Sequence, residues 1–236
     1  MPYFNSLASS YGLATQYYAN THPSIGNYLM LVTGQIITNN EATPPPTITD
    51  DSIVRELLLA DKTWKSYAEA LPSIGYTGPD VYPYAQHHNP FVFLSDVLTS
   101  SQVNNLVPFS QFAIDLAANQ LPNFSYILPD QLDNAHDGTL AQADTWLQQN
   151  IAPLISSAVF QKDGLLIIVF DESEFTDLTN GGGHVATLVI SPHSKTGYQS
   201  VTLYQHPSTL RLILHSLGVT TFPGAAATAP DMSDFF

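Results

Sequence analysis

Residues Leu165–Glu172 read LLIIVFDE, six apolar residues closed by two carboxylates. An uninterrupted apolar run of that length is the pattern of a strand covered on both faces, as in a parallel sheet sandwiched by helices. Around it, helical and extended stretches alternate. Val185–Ile190, Phe124–Leu128, Thr63–Ala68 and Leu13–Tyr18 read as further strands. Helices are expected over Pro2–Ser9, Ser52–Leu59, Gln111–Asn119, Thr139–Ser157 (with a kink near Pro153) and Pro207–Leu217, the last with Gly218 just beyond its end. Gln35–Asp51, with Pro44, Pro45 and Pro46, and Gly75–Asn89 read as loops. The alternation predicts an α/β fold, and no linker divides residues 1–236 into separate domains.

Upstream, Ala19–Gly34 reads ANTHPSIGNYLMLVTG, a polar loop running into a helix from about Ser24. Ser24 has two readings. It caps the helix by accepting an orphan N–H, or it presents a nucleophilic hydroxyl where a helix N-terminus favours a phosphate. Asp171 and Glu172 lie at the carboxyl end of their strand, where α/β sheets gather ligands, and suit a hard cation. His184 follows three glycines at the entrance to the next strand. The loop after Phe124–Leu128 crowds Asp130, Asp133, Asn134, His136 and Asp137 together, although Asp and Asn also serve turns. His87 and His88 stand before Asn89–Pro90 as candidates for contact with a phosphate or leaving group, whereas His206 and Ser208 suit a helix cap.

Composition narrows the partners. Six basic residues against 20 acidic ones give a net charge of −14 over 236 residues, which repels nucleic acid and anionic lipid. No apolar run approaches the ~20 residues of a membrane span. With no cysteine, thiolate chemistry and disulfides are excluded. A phosphorylated substrate would need local positive charge, for which a divalent metal ion is the evident source.

The segments YANTHPSIGNYLMLVTG, TWKSYAEALP, HHNPFVFLSDV, FSYILPDQLDNAHDG, IIVFDE, GGGHVATLVISP, YQHPSTLRLILHSLGV and AAATAPDMSDFF occur in one order over nearly the whole chain. As a set they resemble the phosphoesterase family of bacterial acid phosphatases and non-haemolytic phospholipases C. The resemblance implies an alkaline-phosphatase-like three-layer α/β/α sandwich with a mostly parallel central sheet. It implies metal-dependent hydrolysis of a small phosphate monoester through a phosphoserine on Ser24. Asp171, Glu172, Ser24 and His184 are then expected at the metal, and His87, His88 and His136 at the leaving group. A phospholipase C-type diesterase and a non-catalytic, ligand-binding homologue are the alternatives.

Two departures from the family pattern stand out. Asp133–Asn134 reverses the usual Asn-Asp order. Family members also begin with an apolar strand ending in Glu-Asn, which supplies metal ligands; this sequence begins at the following helix and contains no Glu-Asn dipeptide. The expectation is a sheet without that first strand, a weakened site, and export only if a signal peptide precedes Met1. Phosphate monoester hydrolysis demands accelerations up to ~10²¹-fold. Orientation supplies ~7–11 kcal/mol and one preorganised donor roughly 3–4 kcal/mol, which is the energetic reason for expecting a cation.

Overall fold

The apolar runs become strands and the amphipathic runs become helices in the computed structural model, which describes residues 1–43, 45 and 47–236. In chain order the elements are α1 (Pro2–Ser10), β1 (Gly12–Ala14), α2 (Ser24–Thr33), α3 (Ile53–Leu59), β2 (Trp64–Ala68), α4 (Ser95–Leu98), β3 (Leu106–Pro108), α5 (Ser110–Ala117) and β4 (Phe124–Leu128). They continue with α6 (Leu140–Ser156), α7 (Ala158–Asp163), β5 (Leu166–Val169), β6 (Thr187–Ile190), β7 (Gln199–Ser200) and α8 (His206–Ser216). Pro44 and Pro46 of the expected Gln35–Asp51 loop lie outside the described residues. Among those described, no helix is long and apolar enough to cross a membrane.

Local chemistry sets the boundaries. Ser52, Thr139 and Ser157 cap α3, α6 and α7 by accepting the backbone N–H three residues on. Gly34 ends α2 in the left-handed conformation, at φ 69°. Pro153 lies inside α6 but one turn from its end. The start of α1 has no local cap. Instead, Asp144 of α6 accepts from Tyr3 N and Phe4 N at 2.9 and 2.8 Å, placing a carboxylate on the positive end of the helix.

Helices cover both sheet faces, as expected for a three-layer α/β fold. On one side Ile25, Leu29 and Val32 of α2, Ile53 and Leu57 of α3, and Leu210 and Leu214 of α8 pack with Trp64 and Leu106. On the other, Phe4 and Leu7 of α1, Phe112 of α5, and Trp146, Leu147 and Ile151 of α6 pack with Tyr67, Val107, Leu188 and Ile190. Each fully buried apolar side chain contributes roughly 1.5–3 kcal/mol to holding these layers.

The strands form two hydrogen-bonded sheets. One is parallel, in the order β3–β2–β4, with Ser66 opposite Leu106 and Tyr126. The other runs β5–β6–β1–β7, with β6 antiparallel to both neighbours and β1 parallel to β7. The expected strand Leu13–Tyr18 is regular only to Ala14, and Tyr17 and Tyr18 continue it as single bridges to Tyr204 and His184.

The expected double burial of LLIIVF is only half met, because all four β5 residues are half-buried. The reason is topological. Among the described residues β5 pairs only with β6, and β4 only with β2, so each leaves one edge open. Ile127 of β4 and Ile168 of β5 pack against the same core cluster, and Tyr126 lies within charge range of Asp171. Both strands therefore present a face to the same core.

Candidate active site

The loop before α2 is held by Asn27, whose Oδ1 accepts from Asn20 N and Thr21 N at 2.9 and 3.1 Å, while Nδ2 donates to Thr21 O at 2.7 Å. Gly26 lets Asn39 and Thr21 close over the first turn, since a Cβ there would run into Asn39 Oδ1 and Thr21 Cγ2. Pro23 takes the N-cap position and Ser24 opens the helix. The Ser24 hydroxyl is not a cap. Ser24 is 4% exposed, and its Oγ donates to Glu172 Oε1 at 2.7 Å. The Ile25 N–H is met instead by the carboxylate of Glu41, at 3.3 Å.

The end of β5 brings Asp171 and Glu172 to that hydroxyl. Asp171 Oδ2 is buried with no hydrogen-bond partner among the described residues. Burial, reinforced by the charge of Glu172, pushes the Asp171 carboxyl up to about 6, while the nearby Ser24 hydroxyl opposes the shift. From behind, fully buried His206 donates from Nε2 to the Asp171 carbonyl at 2.6 Å. Burial lowers the His206 ring to about 4, so it is neutral. Its Nδ1 accepts from the Tyr17 hydroxyl at 3.2 Å, and that hydroxyl is 2.7 Å from Thr209 Oγ1. His206 is thus more than the helix cap read from the sequence, because it fixes the backbone carrying Asp171.

Glu172 has a second partner that sequence reasoning left aside. His22 Nδ1 lies 2.5 Å from Glu172 Oε2, and His22 Nε2 lies 3.0 Å from the Asp177 carbonyl. The available signal was His22 standing two residues before Ser24 in the same loop.

His87, His88 and His136 form one group. The buried His88 ring stacks on Tyr28 at 4.8 Å and lies 4.5 Å from the His87 ring and 5.8 Å from that of His136. Its Nε2 has no partner among the described residues. Burial holds the His88 ring well below the usual histidine range, and the neighbouring His87 and His136 add to the effect. His87 Nδ1 is 3.4 Å from Asp80 Oδ1, and the exposed His136 pairs with Asp137 at 2.8 Å. Tyr28 links the two halves of the site. Burial raises its phenol well above the ordinary value, followed by the charge of Asp171 and then by Tyr126 and Glu172.

His184 is not brought to the carboxylates. Val185 enters the core beside Tyr17, and side-chain alternation turns His184 outward. Its exposed ring bonds the Thr15 carbonyl at 3.0 Å and lies 5.2 Å from the Tyr18 ring.

Ser24 Oγ, the orphaned Asp171 oxygen and Glu172 are oxygen donors suited to a hard divalent cation. A denser acidic group, Glu69, Asp130 and Asp133, lies beyond the ends of β2 and β4, with one oxygen from each within 4.8 Å of the others. Its oxygens hold the chain: Glu69 accepts from Trp146 Nε1 and Asp130 N at 3.0 and 3.1 Å. Asp130 Oδ1 accepts from Leu132 N and Asp133 N at 2.9 and 3.2 Å, and Asp133 Oδ1 accepts from Gln142 at 3.0 Å.

The sequence pattern of the Phosphoesterase family matches residues 1–220. A phosphatidylinositol-3-phosphatase of Mycobacterium tuberculosis is 32% identical over 240 residues, spanning 100% of this chain and 75% of that protein. An acid phosphatase of Aspergillus fumigatus is 30% identical over 222 residues, spanning 90% of this chain and 50% of its own length. The chain thus spans about half of that fungal relative. Among solved structures, a protein in the alkaline phosphatase superfamily from Vibrio parahaemolyticus superposes with a TM-score of 0.62 at 11% identity, over 99% of this chain and 65% of that one. The lipoteichoic acid synthase LtaP from Listeria monocytogenes does so with 0.61 at 13% identity, over 99% and 69%. These likenesses show an alkaline-phosphatase-like fold.

Proposed function

For a chain that belongs to the phosphoesterase family, we propose hydrolysis of small phosphate monoesters with Ser24 as the nucleophile. The observation that carries this reading is the buried Ser24 hydroxyl at the start of α2, bonded to Glu172 and set beside an unpartnered Asp171 oxygen. Asp171, Glu172 and Ser24 would hold a divalent cation, which would supply positive charge for the phosphoryl oxygens and lower the cost of deprotonating the serine.

The protein's own groups account for the proton traffic. Ser24 Oγ attacks phosphorus in line with the leaving alkoxide, and its proton passes to Glu172 Oε1, the atom it already faces. As the P–O bond to the alkoxide breaks, His136 protonates the leaving oxygen, while His88 orients the group from its stack on Tyr28. Water then cleaves the phosphoserine, returning the serine hydroxyl and inorganic phosphate. The resemblance implies two more ligands, at the end of an apolar strand.

With p-nitrophenyl phosphate, Ser24→Ala is expected to lower turnover by at least about 10³-fold while the fold persists. Mass spectrometry of quenched wild-type protein is expected to find phosphate on Ser24. Retained activity in the variant overturns the nucleophile assignment. Unchanged wild-type turnover after exhaustive chelation overturns the cation.

A further inference from the structure

We infer that His22 is a positioning residue that holds the Glu172 carboxylate in place for Ser24. The inference rests on the reading of Ser24 as nucleophile. One carboxylate joins the two residues: Glu172 Oε1 accepts from Ser24 at 2.7 Å, and Glu172 Oε2 meets His22 Nδ1 at 2.5 Å. The His22 side chain is only 6% exposed and that of Glu172 18%. His22 is itself fixed. The Asp177 carbonyl and the Glu172 carboxylate can only accept, so both ring nitrogens donate, Nε2 to Asp177 O at 3.0 Å and Nδ1 to Glu172 Oε2. The Phe175 ring, 5.3 Å from the His22 ring, packs against it.

The physical need for such a holder follows from the side chain it holds. Glutamate has three free torsions, and immobilising one costs up to roughly 2 kcal/mol of rotamer entropy. Glu172 begins an open loop beyond its strand and is half-buried. With His22 removed, Oε2 loses its partner and the carboxylate can swing toward solvent, taking Oε1 away from Ser24. Carboxylates that serve reacting groups or cations are commonly fixed by just such a second hydrogen bond.

A double-mutant cycle tests the assignment. His22→Leu is expected to lower kcat for p-nitrophenyl phosphate about 10–100-fold with little change in KM. His22→Asn places an amide N–H near the position of Nδ1 and is expected to recover most of that loss. In a Glu172→Gln background, His22→Leu is expected to cost almost nothing further. Equal loss in both backgrounds, or no recovery by Asn, overturns the inference.

A second measurement needs no turnover. In protein with ¹⁵N-labelled histidine, the His22 Nδ1 resonance is expected to shift on Glu172→Gln and to stay put on His136→Gln. A resonance indifferent to Glu172 overturns the pairing. Full activity in Ser24→Ala would instead overturn the parent reading and leave the spectroscopic result to stand on its own.

Discussion

Two acidic groupings stand at the ends of strands in this molecule, and they have opposite fates. Glu69, Asp130 and Asp133 lie closer together than any other such group of three among the described residues. Their oxygens nevertheless accept the indole N–H of Trp146, backbone N–H groups of the turn and the Gln142 amide. Asp171 and Glu172 are only two, yet they face a serine hydroxyl, a histidine and one oxygen with nothing to bind. Desolvation does not separate the groupings, since burial is the leading cause raising Glu69, Asp130 and Asp171 alike. What separates them is the kind of partner: framework N–H groups for the three, and a serine hydroxyl, a histidine and a buried unmet oxygen for the two. A cluster in which each carboxylate already accepts a framework N–H holds a loop, whereas a pair that faces a hydroxyl and keeps a buried oxygen unmet is available for chemistry.

The sharpest way to break this contrast is Asp171→Asn. Turnover is expected to fall about 10³-fold, or roughly 4 kcal/mol of transition-state stabilisation. Stability at neutral pH is expected to rise. A carboxyl raised in the folded state to about 6 favours folding below its unfolded value, and that contribution is lost as pH rises through 6. The variant's advantage in urea unfolding should therefore open between about pH 4 and 6 and reach about 3 kcal/mol at pH 7. Loss of both activity and stability would place Asp171 in the framework and erase the distinction from Glu69.

The sequence made the fold class legible because hydrophobic period is local: β4 matches the expected Phe124–Leu128, and α6 and α8 match to within a residue or two. It also brought Ser24, Asp171 and Glu172 into one site through an ordered set of motifs. Other features depend on long-range pairing. The half-burial of LLIIVF reflects an open edge that no local pattern announces. The outward turn of His184 follows from Val185 taking the core position. His22 and His206 resemble ordinary polar residues at helix starts. Their roles arise because Glu172 and the Asp171 carbonyl, about 150 and 35 residues away, meet them in the fold.

His206 offers a smaller, signed effect on the same pair. It supports Asp171 from behind as a neutral ring, lowered by burial to about 4. A depressed folded value gives stability present above the unfolded value near 6.5 and lost as pH falls through 4. Wild type should lose up to about 3 kcal/mol over that interval relative to His206→Gln, measured by urea unfolding at several pH values. Asp171 titrates in the opposite sense between about pH 4 and 6 but does so in both proteins, so the difference isolates His206. A difference that does not change with pH would remove the neutral ring from behind the site.

Glu69→Gln is expected to have the smallest effect and bears on the other side of the contrast. Gln keeps one acceptor oxygen, but its amide group must face either Trp146 Nε1 or Asp130 N, both of which are donors. One hydrogen bond is lost and two donors oppose each other, a cost of about 1–3 kcal/mol, part of which is offset because burial already raises the Glu69 carboxyl. Turnover should stay within about three-fold of wild type, since the three carboxylates brace the turn from Asp130 to Asp133 and donate nothing to a phosphate. Thermal melts with and without millimolar Ca²⁺ or Mn²⁺ decide the matter. A cation that stabilises wild type and Glu69→Gln equally, but not Asp171→Asn, leaves Asp171 and Glu172 as the metal-binding end of the sheet. A cation whose effect vanishes in Glu69→Gln alone reverses the assignment and makes the denser cluster the ligand set.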